Sequence, residues 1–331
     1  MKRVLGLGNA LVDLIVRLGD DAALSALGLP KGSMQLVDHE RASGLKRLLA
    51  GYAMKMSSGG SAANTIHGLS KLGIPTGYIG KVGTDDLGWF FRKDMELSGA
   101  QLHMLESDLE TGQAITLLTP DSERTFATYL GAAVELRADE LDASMFESYQ
   151  MLHLEGYLVH NEPLILRALD IAARLGMEVS LDLASYNVVE AHLSFLHHIT
   201  AAYVDVLFAN EAEAMAFTGK QPAEALSDMT GYCEKVFVKI GPGGVMAAMD
   251  DETWFIPALP AQVIDTNGAG DLFASGALAA LALDKSPETA ARLGVVCATR
   301  VIETIGTKMP ETSWEQILRE SQALLGTLPQ Q

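Results

Sequence analysis

The sequence predicts an α/β fold in which a mostly parallel sheet is covered by helices on both faces. Short β-rich segments alternate with helical patterns, and these segments are almost continuously apolar, as in strands buried on both faces. The segments predicted as strands are 4–8, 78–82, 151–154, 178–182, 204–208 and 236–239. Residues 163–175 form one of the intervening helical patterns, and Gly176 follows it in the position that a C-terminal cap favours. Ligands of such sheets bind beyond the carboxyl ends of the strands.

Two segments interrupt this alternation and predict a smaller unit rich in β structure. The first is roughly 14–38, which includes an apolar stretch at 33–37. The second contains 113–118 and 124–129, separated by Thr119-Pro120-Asp121-Ser122-Glu123. Alternating residues on both sides of a Pro-Asp-Ser turn are typical of a β-hairpin. We therefore expect these strands to lie outside the main sheet.

Composition limits the classes of partner. The chain of 331 residues has 24 Lys plus Arg and 42 Asp plus Glu, so its net charge is −18. Such a charge repels polyanions, which makes nucleic acids and anionic membranes poor candidates. No stretch approaches a membrane span, and Asn9 and Asp13 interrupt the N-terminal apolar run that a signal peptide needs. Cys233 and Cys297 lack metal-ligand spacing and are expected to be buried, reduced thiols, which fits a cytoplasmic protein.

The stretch 265–271, Asp-Thr-Asn-Gly-Ala-Gly-Asp, places glycine-rich backbone directly before an apolar helical pattern. Gly268 and Gly270 allow backbone N–H groups to turn toward an anion, and the first helical turn adds unpaired donors and the positive end of the helix dipole. Asp271 then lies where a carboxylate can accept a proton from an attacking hydroxyl. The alternative is an ordinary junction of loop and helix, in which Gly and Asp serve as capping residues.

Four further motifs accompany this stretch. They are Gly-Gly-Ser-Ala-Ala-Asn at 59–64, Lys-Val-Gly-Thr-Asp-Asp-Leu-Gly at 81–88, Asn-Glu-Ala-Glu at 210–213 and Lys-Ile-Gly-Pro-Gly-Gly at 239–244. In residues and order, the five motifs resemble those of the ribokinase-like (PfkB) family of carbohydrate and nucleoside kinases. The resemblance implies a three-layer α/β/α fold with a small β-rich lid, and a kinase that transfers the γ-phosphoryl group of ATP to a primary hydroxyl.

The resemblance also implies domain boundaries and catalytic roles. The large domain is expected at 1–13, 39–112 and 132–331, and the discontinuous lid at 14–38 and 113–131. A closed lid would exclude water, which otherwise accepts the phosphoryl group. Asp271 would act as general base, while the amides of Gly268, Ala269 and Gly270 would bind the charge that develops on the γ-phosphoryl group. Arg124, in the lid hairpin, is either a second donor to that charge or a solvated turn residue.

By the same resemblance, the acceptor binds to the N-terminal part of the chain. Asp13 would accept hydrogen bonds from sugar hydroxyls, with Asn9 beside it; the alternative for Asp13 is a surface position on an edge strand. Gly59 and Gly60 would let the backbone approach the sugar, and Asn64 would hydrogen-bond to it. The alternative for this second group is a loop before a helix capped by the adjoining serine.

The nucleotide side is expected around the motifs at 210–213 and 239–244. Asn210 and Glu213 have the spacing of a capping pair, which alone would explain them. The resemblance adds a role for Glu213 in binding Mg²⁺ through water. It also assigns Thr266, in the 265–271 stretch, to the ATP site.

Gly241 and Gly243 would let the backbone approach ATP. They also lie before a predicted hairpin whose strands are 245–249 and 253–256. Lys239 belongs to the same motif, although a lysine at the end of a strand needs no functional explanation.

Cation and substrate specificity are the least determined features. Asn267 stands where the family signature usually has Thr, at a position that helps build a monovalent-cation site in several relatives together with a loop equivalent to 303–307. Potassium activation therefore stays open. The helical insert at 21–28 and the Gly-Gly-Ser at 59–61 are more similar to the adenosine kinase branch. If adenosine is the acceptor, Tyr157 is the candidate to stack on its base, although it is equally compatible with a core position.

The resemblance thus favours the 5′-hydroxyl of adenosine as the acceptor. The first alternative is a sugar kinase acting on ribose or fructose. The second is a nucleotide-binding regulator without turnover, which the intact Asp271 and its loop disfavour. A monomer and a homodimer joined through lid strands are both compatible with the sequence.

Overall fold

The structure is a computed structural model that describes residues 1–121 and 123–326. Within these residues the strands are β1 Val4–Leu7, β2 Leu11–Arg17, β3 Met34–Leu36, β4 Met54–Gly59, β5 Thr76–Gly83, β6 Gln101–Ser107, β7 Gly112–Leu118, β8 Arg124–Tyr129, β9 Met151–Glu155, β10 Glu178–Asp182, β11 Val206–Asn210, β12 Lys235–Lys239, β13 Val245–Met249 and β14 Glu252–Ile256. The α-helices are α1 Ala22–Leu27, α2 His39–Leu48, α3 Ser61–Lys71, α4 Asp86–Leu97, α5 Glu162–Leu175, α6 Tyr186–Ala191, α7 Leu193–Tyr203, α8 Glu211–Thr218, α9 Pro222–Met229, α10 Ala269–Ala282, α11 Pro287–Val301 and α12 Glu311–Leu325.

The main sheet confirms the predicted α/β class and three-layer arrangement. It has the strand order β14-β13-β12-β11-β10-β9-β1-β5-β6, and every pairing from β12 to β6 is parallel. Only β13 and β14 run antiparallel to their neighbours in this sheet, as predicted for the hairpin that follows the 239–244 motif. The chain leaves β1 toward β5 and later returns to β9 on the other side. This reversal opens a crevice at the carboxyl ends of β1 and β9, where α/β sheets bind ligands.

Helices cover both faces because the central strands β1, β5 and β9 are buried on both sides. One layer contains α3, α10, α11 and α12, whose buried side chains include Ile66, Leu272 and Trp314. The other contains α5, α7, α8 and α9, with Ile165 and Phe217 among the buried side chains. Helix α5 ends where predicted, because Gly176 adopts the left-handed conformation (φ 65°) and its N–H caps the last turn.

A second sheet of five strands has the order β3-β8-β7-β2-β4. It contains the predicted β7–β8 hairpin, which is antiparallel, and the short strand β3, which pairs with β8. The predicted lid boundaries are too narrow for this sheet, because β2 begins at Leu11 and β4 spans Met54–Gly59. β4 was missed because its sequence, Met-Lys-Met-Ser-Ser-Gly, carries no β-branched or aromatic residue. Closure of the sheet over a substrate stays a prediction.

Candidate active site

The predicted site residues converge at the carboxyl ends of the parallel strands, in the space between the two sheets and the N-termini of α3, α8 and α10. The N-terminus of α10 lies at the centre of this region. Its N-cap residue, Gly268, adopts the left-handed conformation (φ 73°) and provides no side-chain cap. Within the described residues, the amides of Gly268 and Gly270 donate to no protein acceptor, whereas the amide of Ala269 donates to the Thr266 carbonyl at 3.3 Å. The loop therefore offers Gly268 and Gly270 as free donors, and Ala269 less readily.

The Asp271 carboxylate lies in the first turn of α10 and is held from α3. Its Oδ1 accepts a hydrogen bond from Ser61 Oγ at 2.7 Å, and its Oδ2 accepts one from Asn64 Nδ2 at 2.9 Å. Burial raises the pKa of Asp271 to about 6, although these two hydrogen bonds favour the ionised form and oppose the shift. The carboxylate is therefore largely ionised at neutral pH and is a base of useful strength.

Ser61 does not have its predicted capping role, and Asn64 is hydrogen-bonded within the protein. Ser61 is the first helical residue of α3 and does not cap it, because the N-cap is Gly60. Asn64 uses both ends of its amide within the protein, since its Oδ1 also accepts from Thr307 Oγ1 at 2.9 Å. In this structure Asn64 thus links Asp271 to the segment that follows α11, and an acceptor would have to compete for it.

The Gly59-Gly60 pair makes room for protein groups. A β carbon on Gly59 would lie 2.5 Å from the carboxyl group of Asp13. A β carbon on Gly60, which has φ 98°, would overlap the carbonyl oxygen of Asn9. The two glycines therefore allow β4 and the start of α3 to pack directly against the segment that leads into β2.

Asp13 lies in the middle of β2 and is buried, so the alternative of an exposed edge residue is wrong. Within the described residues no donor is hydrogen-bonded to its carboxyl group. Burial raises the pKa of Asp13 to about 7, with Lys308 and Arg124 opposing the shift and Asp271 adding to it. A buried carboxylate without a protein donor is suited to accept hydrogen bonds from a ligand.

Glu155, which sequence reasoning missed, organises the neighbouring loop. It ends β9, and its carboxylate accepts from the Asn9 amide at 2.9 Å, from Asn9 Nδ2 at 2.6 Å and from the Ala62 amide at 2.8 Å. Burial raises the pKa of Glu155 to about 7. The side chain of Asn9 is thus directed into the protein, which gives Asn9 a scaffolding position in this structure.

Lys239 is more than a strand-end lysine. Its Nζ lies 2.9 Å from Asp182 Oδ2, and a β carbon built on Gly270 would lie 3.2 Å from the same Nζ. Burial lowers the pKa of Lys239, but Asp182 and Glu213 outweigh this and hold it above its ordinary value. The ammonium group is therefore a fixed positive charge beside the free amides of the α10 loop. Asp182 was missed, although its place at the end of a predicted strand was a usable signal.

Asn210 and Glu213 form the predicted capping pair at the start of α8. The Asn210 side chain accepts from the Glu213 amide at 2.9 Å, and Glu213 accepts from the Asn210 amide at 2.7 Å and from Asn210 Nδ2 at 2.6 Å. Both carboxylate oxygens of Glu213 are thus occupied, which fits a contact to Mg²⁺ through water better than direct ligation. Across residues 1–121 and 123–326, no group of three or more His, Cys, Asp or Glu could hold a metal ion.

Arg124 is buried and paired, so the alternative of a solvated turn residue is wrong. Its Nη2 contacts Asp265 Oδ2. Asp265, another residue that sequence reasoning missed, also accepts from the Asn267 amide at 3.0 Å and from the Gly306 amide at 2.6 Å. One carboxylate thereby joins the small sheet, the α10 loop and the segment after α11.

The remaining predicted residues lie at the edges of the site. Tyr157 is partly buried in a short 3₁₀ segment after β9, and its hydroxyl donates to the Ala184 carbonyl at 3.4 Å. Burial and then the charge of Asp271 raise the pKa of Tyr157. Gly241 and Gly243 form an exposed turn between β12 and β13, and Thr266 is exposed in the α10 loop.

Comparison with known proteins identifies the family. Residues 33–314 match the pfkB family of carbohydrate kinases. The chain belongs to this family. Its members are phosphotransferases that use a hydroxyl group as acceptor, and ATP use is implied for a kinase of this family. The described helices include none that is both long and apolar enough to cross a membrane.

Solved structures and curated relatives carry two kinds of name. A probable sugar kinase from Rhizobium etli is 32% identical with a TM-score of 0.88, covering 98% of this chain and 99% of that one. An adenosine kinase from Sinorhizobium meliloti is 32% identical with a TM-score of 0.87, covering 97% and 99%. Adenosine kinase 2 of Arabidopsis thaliana is 25% identical over 332 residues, or 93% of this chain and 96% of its own length. These similarities support a kinase with either a nucleoside or a sugar as acceptor.

Proposed function

We propose that this pfkB family kinase transfers the γ-phosphoryl group of ATP to the 5′-hydroxyl of adenosine, forming AMP in a purine-salvage reaction. The observation that carries the proposal is the geometry around Asp271. A carboxylate with a pKa of about 6 lies in the same helical turn as the free amides of Gly268 and Gly270, with the Lys239 ammonium beside them. A proton acceptor and anion-binding donors are thus side by side, as phosphoryl transfer requires.

Each group of this site has one task in the proposed mechanism. Ser61 and Asn64 hold Asp271 so that it accepts the proton of the attacking hydroxyl. The amides of Gly268 and Gly270 bind the charge on the transferred group. Mg²⁺, when bound with ATP, would neutralise charge on the phosphate oxygens, and the Glu213 carboxylate fits its hydration shell. Lys239 adds positive charge, while potassium use stays open.

Two features support adenosine as the acceptor. The Sinorhizobium meliloti relative, which matches nearly the whole chain, is named an adenosine kinase. Tyr157 is partly buried in the segment that directly follows β9, and this position supports it as the aromatic side chain that contacts a base. Asp13 and the Gly59 backbone would then receive the ribose hydroxyls.

A sugar kinase is the second candidate. The Rhizobium etli relative is equally similar and is named a probable sugar kinase. Asp13 would serve a free sugar as well as a nucleoside, because its carboxylate would recognise hydroxyl groups in both. The aromatic side chain of Tyr157 would then have no base to contact.

The test is Mg²⁺-dependent formation of ADP from ATP in the presence of adenosine, other nucleosides, ribose or fructose. The Tyr157→Leu variant separates the candidates, because it should raise the KM for adenosine and leave that for a sugar unchanged. Turnover with a free sugar alone would refute the nucleoside proposal. Binding of ATP without turnover on any acceptor would support the nucleotide-binding regulator instead.

A further inference from the structure

The segment between α11 and α12 contains a buried threonine that has no task in the proposed mechanism. Thr307 is 1% exposed, and its Oγ1 donates a hydrogen bond to Asn64 Oδ1 at 2.9 Å. The preceding residue, Gly306, adopts the left-handed conformation (φ 77°), and its amide donates to Asp265 Oδ2 at 2.6 Å. The turn that presents the Thr307 hydroxyl to α3 is therefore itself held in place by the α10 loop.

The side-chain amide of Asn64 connects Thr307 to the Asp271 carboxylate. An amide has one donating and one accepting end, whereas an ionised carboxylate only accepts. Nδ2 of Asn64 therefore faces Asp271, at 2.9 Å from Oδ2, and Oδ1 is left for a donor elsewhere. Within the described residues, Thr307 is the only donor that is hydrogen-bonded to this buried oxygen. Because a buried acceptor without a donor is unfavourable, the amide orientation that serves Asp271 depends on the Thr307 hydroxyl.

The methyl group of Thr307 contacts a different part of the site. A β carbon on Gly268, the N-cap of α10, would overlap Thr307 Cγ2. The same side chain thus packs against the anion-binding loop through its methyl group and is linked to the base through its hydroxyl. The two contacts can be removed separately, since valine has the shape of threonine without the hydroxyl and serine keeps the hydroxyl without the methyl group.

We propose that Thr307 is a positioning residue for the general base, because its hydroxyl keeps the Asn64 amide oriented so that Nδ2 donates to the Asp271 carboxylate. This inference rests on the proposed function, since it assumes that Asp271 accepts the proton of the acceptor hydroxyl. Without the Thr307 hydroxyl, the amide of Asn64 rotates to satisfy its own oxygen. Asp271 then keeps the hydrogen bond from Ser61 and loses the one from Asn64.

The expected direction follows from the pKa of Asp271. Burial raises this pKa to about 6, and the hydrogen bonds from Asn64 and Ser61 oppose the shift because they stabilise the ionised form. Loss of the Asn64 hydrogen bond should therefore raise the pKa further and protonate the base over a wider range of pH. The other ionisable groups that interact with Asp271 are kept in every variant; they are Asp13 in β2, Glu155 in β9, Tyr157 after β9, Asp182 in β10, Glu213 in α8, Lys239 in β12 and Lys308 after α11.

The kinetic test compares Thr307→Val with Thr307→Ser and with the matched control Thr304→Val. Thr304 lies in the same segment, but its hydroxyl donates to the Val301 carbonyl at 2.9 Å instead of to α3. For Thr307→Val we expect the decrease of kcat at acidic pH, measured at saturating adenosine, to occur about one pH unit higher, as for the loss of one hydrogen bond to a charged group. At pH 6 kcat should then be about fivefold below the wild-type value, and at pH 9 it should approach that value.

The controls separate the hydroxyl from the methyl group. Thr307→Ser should keep the wild-type pH profile because it keeps the hydroxyl, and Thr304→Val should keep it as well. An unchanged profile in Thr307→Val would refute the proposal. An equal shift in Thr307→Val and Thr307→Ser would also refute it, since the effect would then come from packing against Gly268. A kcat that is reduced equally at pH 6 and pH 9 in Thr307→Val would indicate a general structural effect and count against the proposal too.

A second measurement does not depend on turnover. The ¹³C carboxyl resonance of Asp271, assigned by its loss in Asp271→Asn, is titrated in wild type, Thr307→Val, Asn64→Ala and the double variant. We expect the midpoint to rise by about one unit in Thr307→Val. Because Thr307 acts through Asn64, the midpoint should be the same in Asn64→Ala and in the double variant.

The two measurements distinguish failure of this inference from failure of the proposed function. An unchanged midpoint in Thr307→Val, or a further rise in the double variant, refutes the inference and leaves the proposed function standing if adenosine is phosphorylated. A raised midpoint in a protein that phosphorylates no acceptor supports the link from Thr307 to Asp271 and refutes the proposed function, and with it the role of Asp271 as a base.

Discussion

The N-termini of α8 and α10 follow strands of the same sheet edge, and each carries an acid at the third helical position, yet they are built in opposite ways. At α8, Asn210 and Glu213 satisfy one another through three hydrogen bonds. At α10, the cap is a glycine, two amides are free of protein acceptors, and Asp271 is held by side chains of α3. At the first terminus, the N-cap residue and the acid satisfy each other within the helix. The second leaves its donors available, which is the condition for binding an anion.

The difference teaches how motif residues of similar type serve different purposes. Two nearby residues at α8, Asn210 and Glu213, determine their own geometry, so the local sequence is sufficient to predict it. The geometry of α10 depends on contacts that cross more than 200 positions, between Asp271 and both Ser61 and Asn64. A carboxylate positioned from a different helix can face a substrate, because its oxygens are not consumed by its own backbone.

Neutralising the acid at the third position of α10 and of α8 should give the largest difference in kcat between two variants. For Asp271→Asn we expect kcat to fall roughly a thousandfold, because the general base is lost. For Glu213→Gln we expect kcat to stay within about tenfold of wild type and the KM for MgATP to increase, since Glu213 acts at most through water. Steady-state kinetics with adenosine and a binding titration with ATP measure both. Equal losses in the two variants would remove Asp271 from the role of base.

Substituting two glycines of the same backbone conformation tests whether catalysis depends on the backbone conformation of the α10 loop. Gly268 (φ 73°) and Gly219 (φ 75°), which caps the C-terminus of α8, both adopt the left-handed conformation. Alanine costs each about 1 kcal/mol of backbone strain. A β carbon on Gly268 would in addition overlap Thr307, whereas Gly219 has open space.

Gly268→Ala should therefore lower kcat about a hundredfold, since one misplaced anion-binding donor has roughly that effect. Gly219→Ala should leave the kinetics unchanged and reduce the free energy of unfolding by a similar 1 kcal/mol. Urea unfolding and steady-state kinetics on both variants give the comparison. A Gly268→Ala enzyme that loses stability but keeps its kcat would show that catalysis does not depend on the backbone conformation of the loop.

The same contrast explains what could be predicted from the sequence. Strands such as β10 and helices such as α5 follow from local apolar patterns and glycine caps, and the structure confirms them. β4 could not be found in this way, because its polar sequence is stabilised only by pairing with β2. Tertiary pairing outweighs intrinsic propensity for such a strand.

Within the candidate site, motif positions were predictable and their partners were not. Asp182 ends one predicted strand and Glu155 directly follows another, so their position at the ligand edge could have been inferred. Their specific partners, Asn9 and Lys239, lie far away in sequence and become neighbours only when the sheet forms. Lys308 gives no local signal at all, since a lysine in a loop is ordinarily solvated.

A smaller effect is expected in the decrease of kcat at acidic pH. This effect depends on a side chain of α3. Burial raises the pKa of Asp271 to about 6, so kcat should fall about tenfold per pH unit below that value. Ser61 donates to the ionised form, and Ser61→Ala should therefore move this decrease upward by about one unit. The profile of kcat at saturating adenosine measures the shift, with Ser286→Ala, which removes the cap of α11 beyond the C-terminal end of α10, as the control. A decrease that stays at its wild-type pH would mean that Ser61 does not tune the base.

Removing the capping pair of α8 should have the smallest effect. If α8 and α10 differ as described, this effect is limited to the stability of α8. Asn210→Ala removes the acceptor of the Glu213 amide and frees Glu213 from one of its donors. The free energy of unfolding should fall by about 1 kcal/mol, the usual value of an N-cap, and Asn210→Asp should recover most of it because aspartate also caps well. Urea denaturation measures the difference, and kcat should be unchanged in both variants. A large loss of kcat in Asn210→Ala would show that α8, like α10, positions groups for the reaction, and the two termini would then differ in degree rather than in kind.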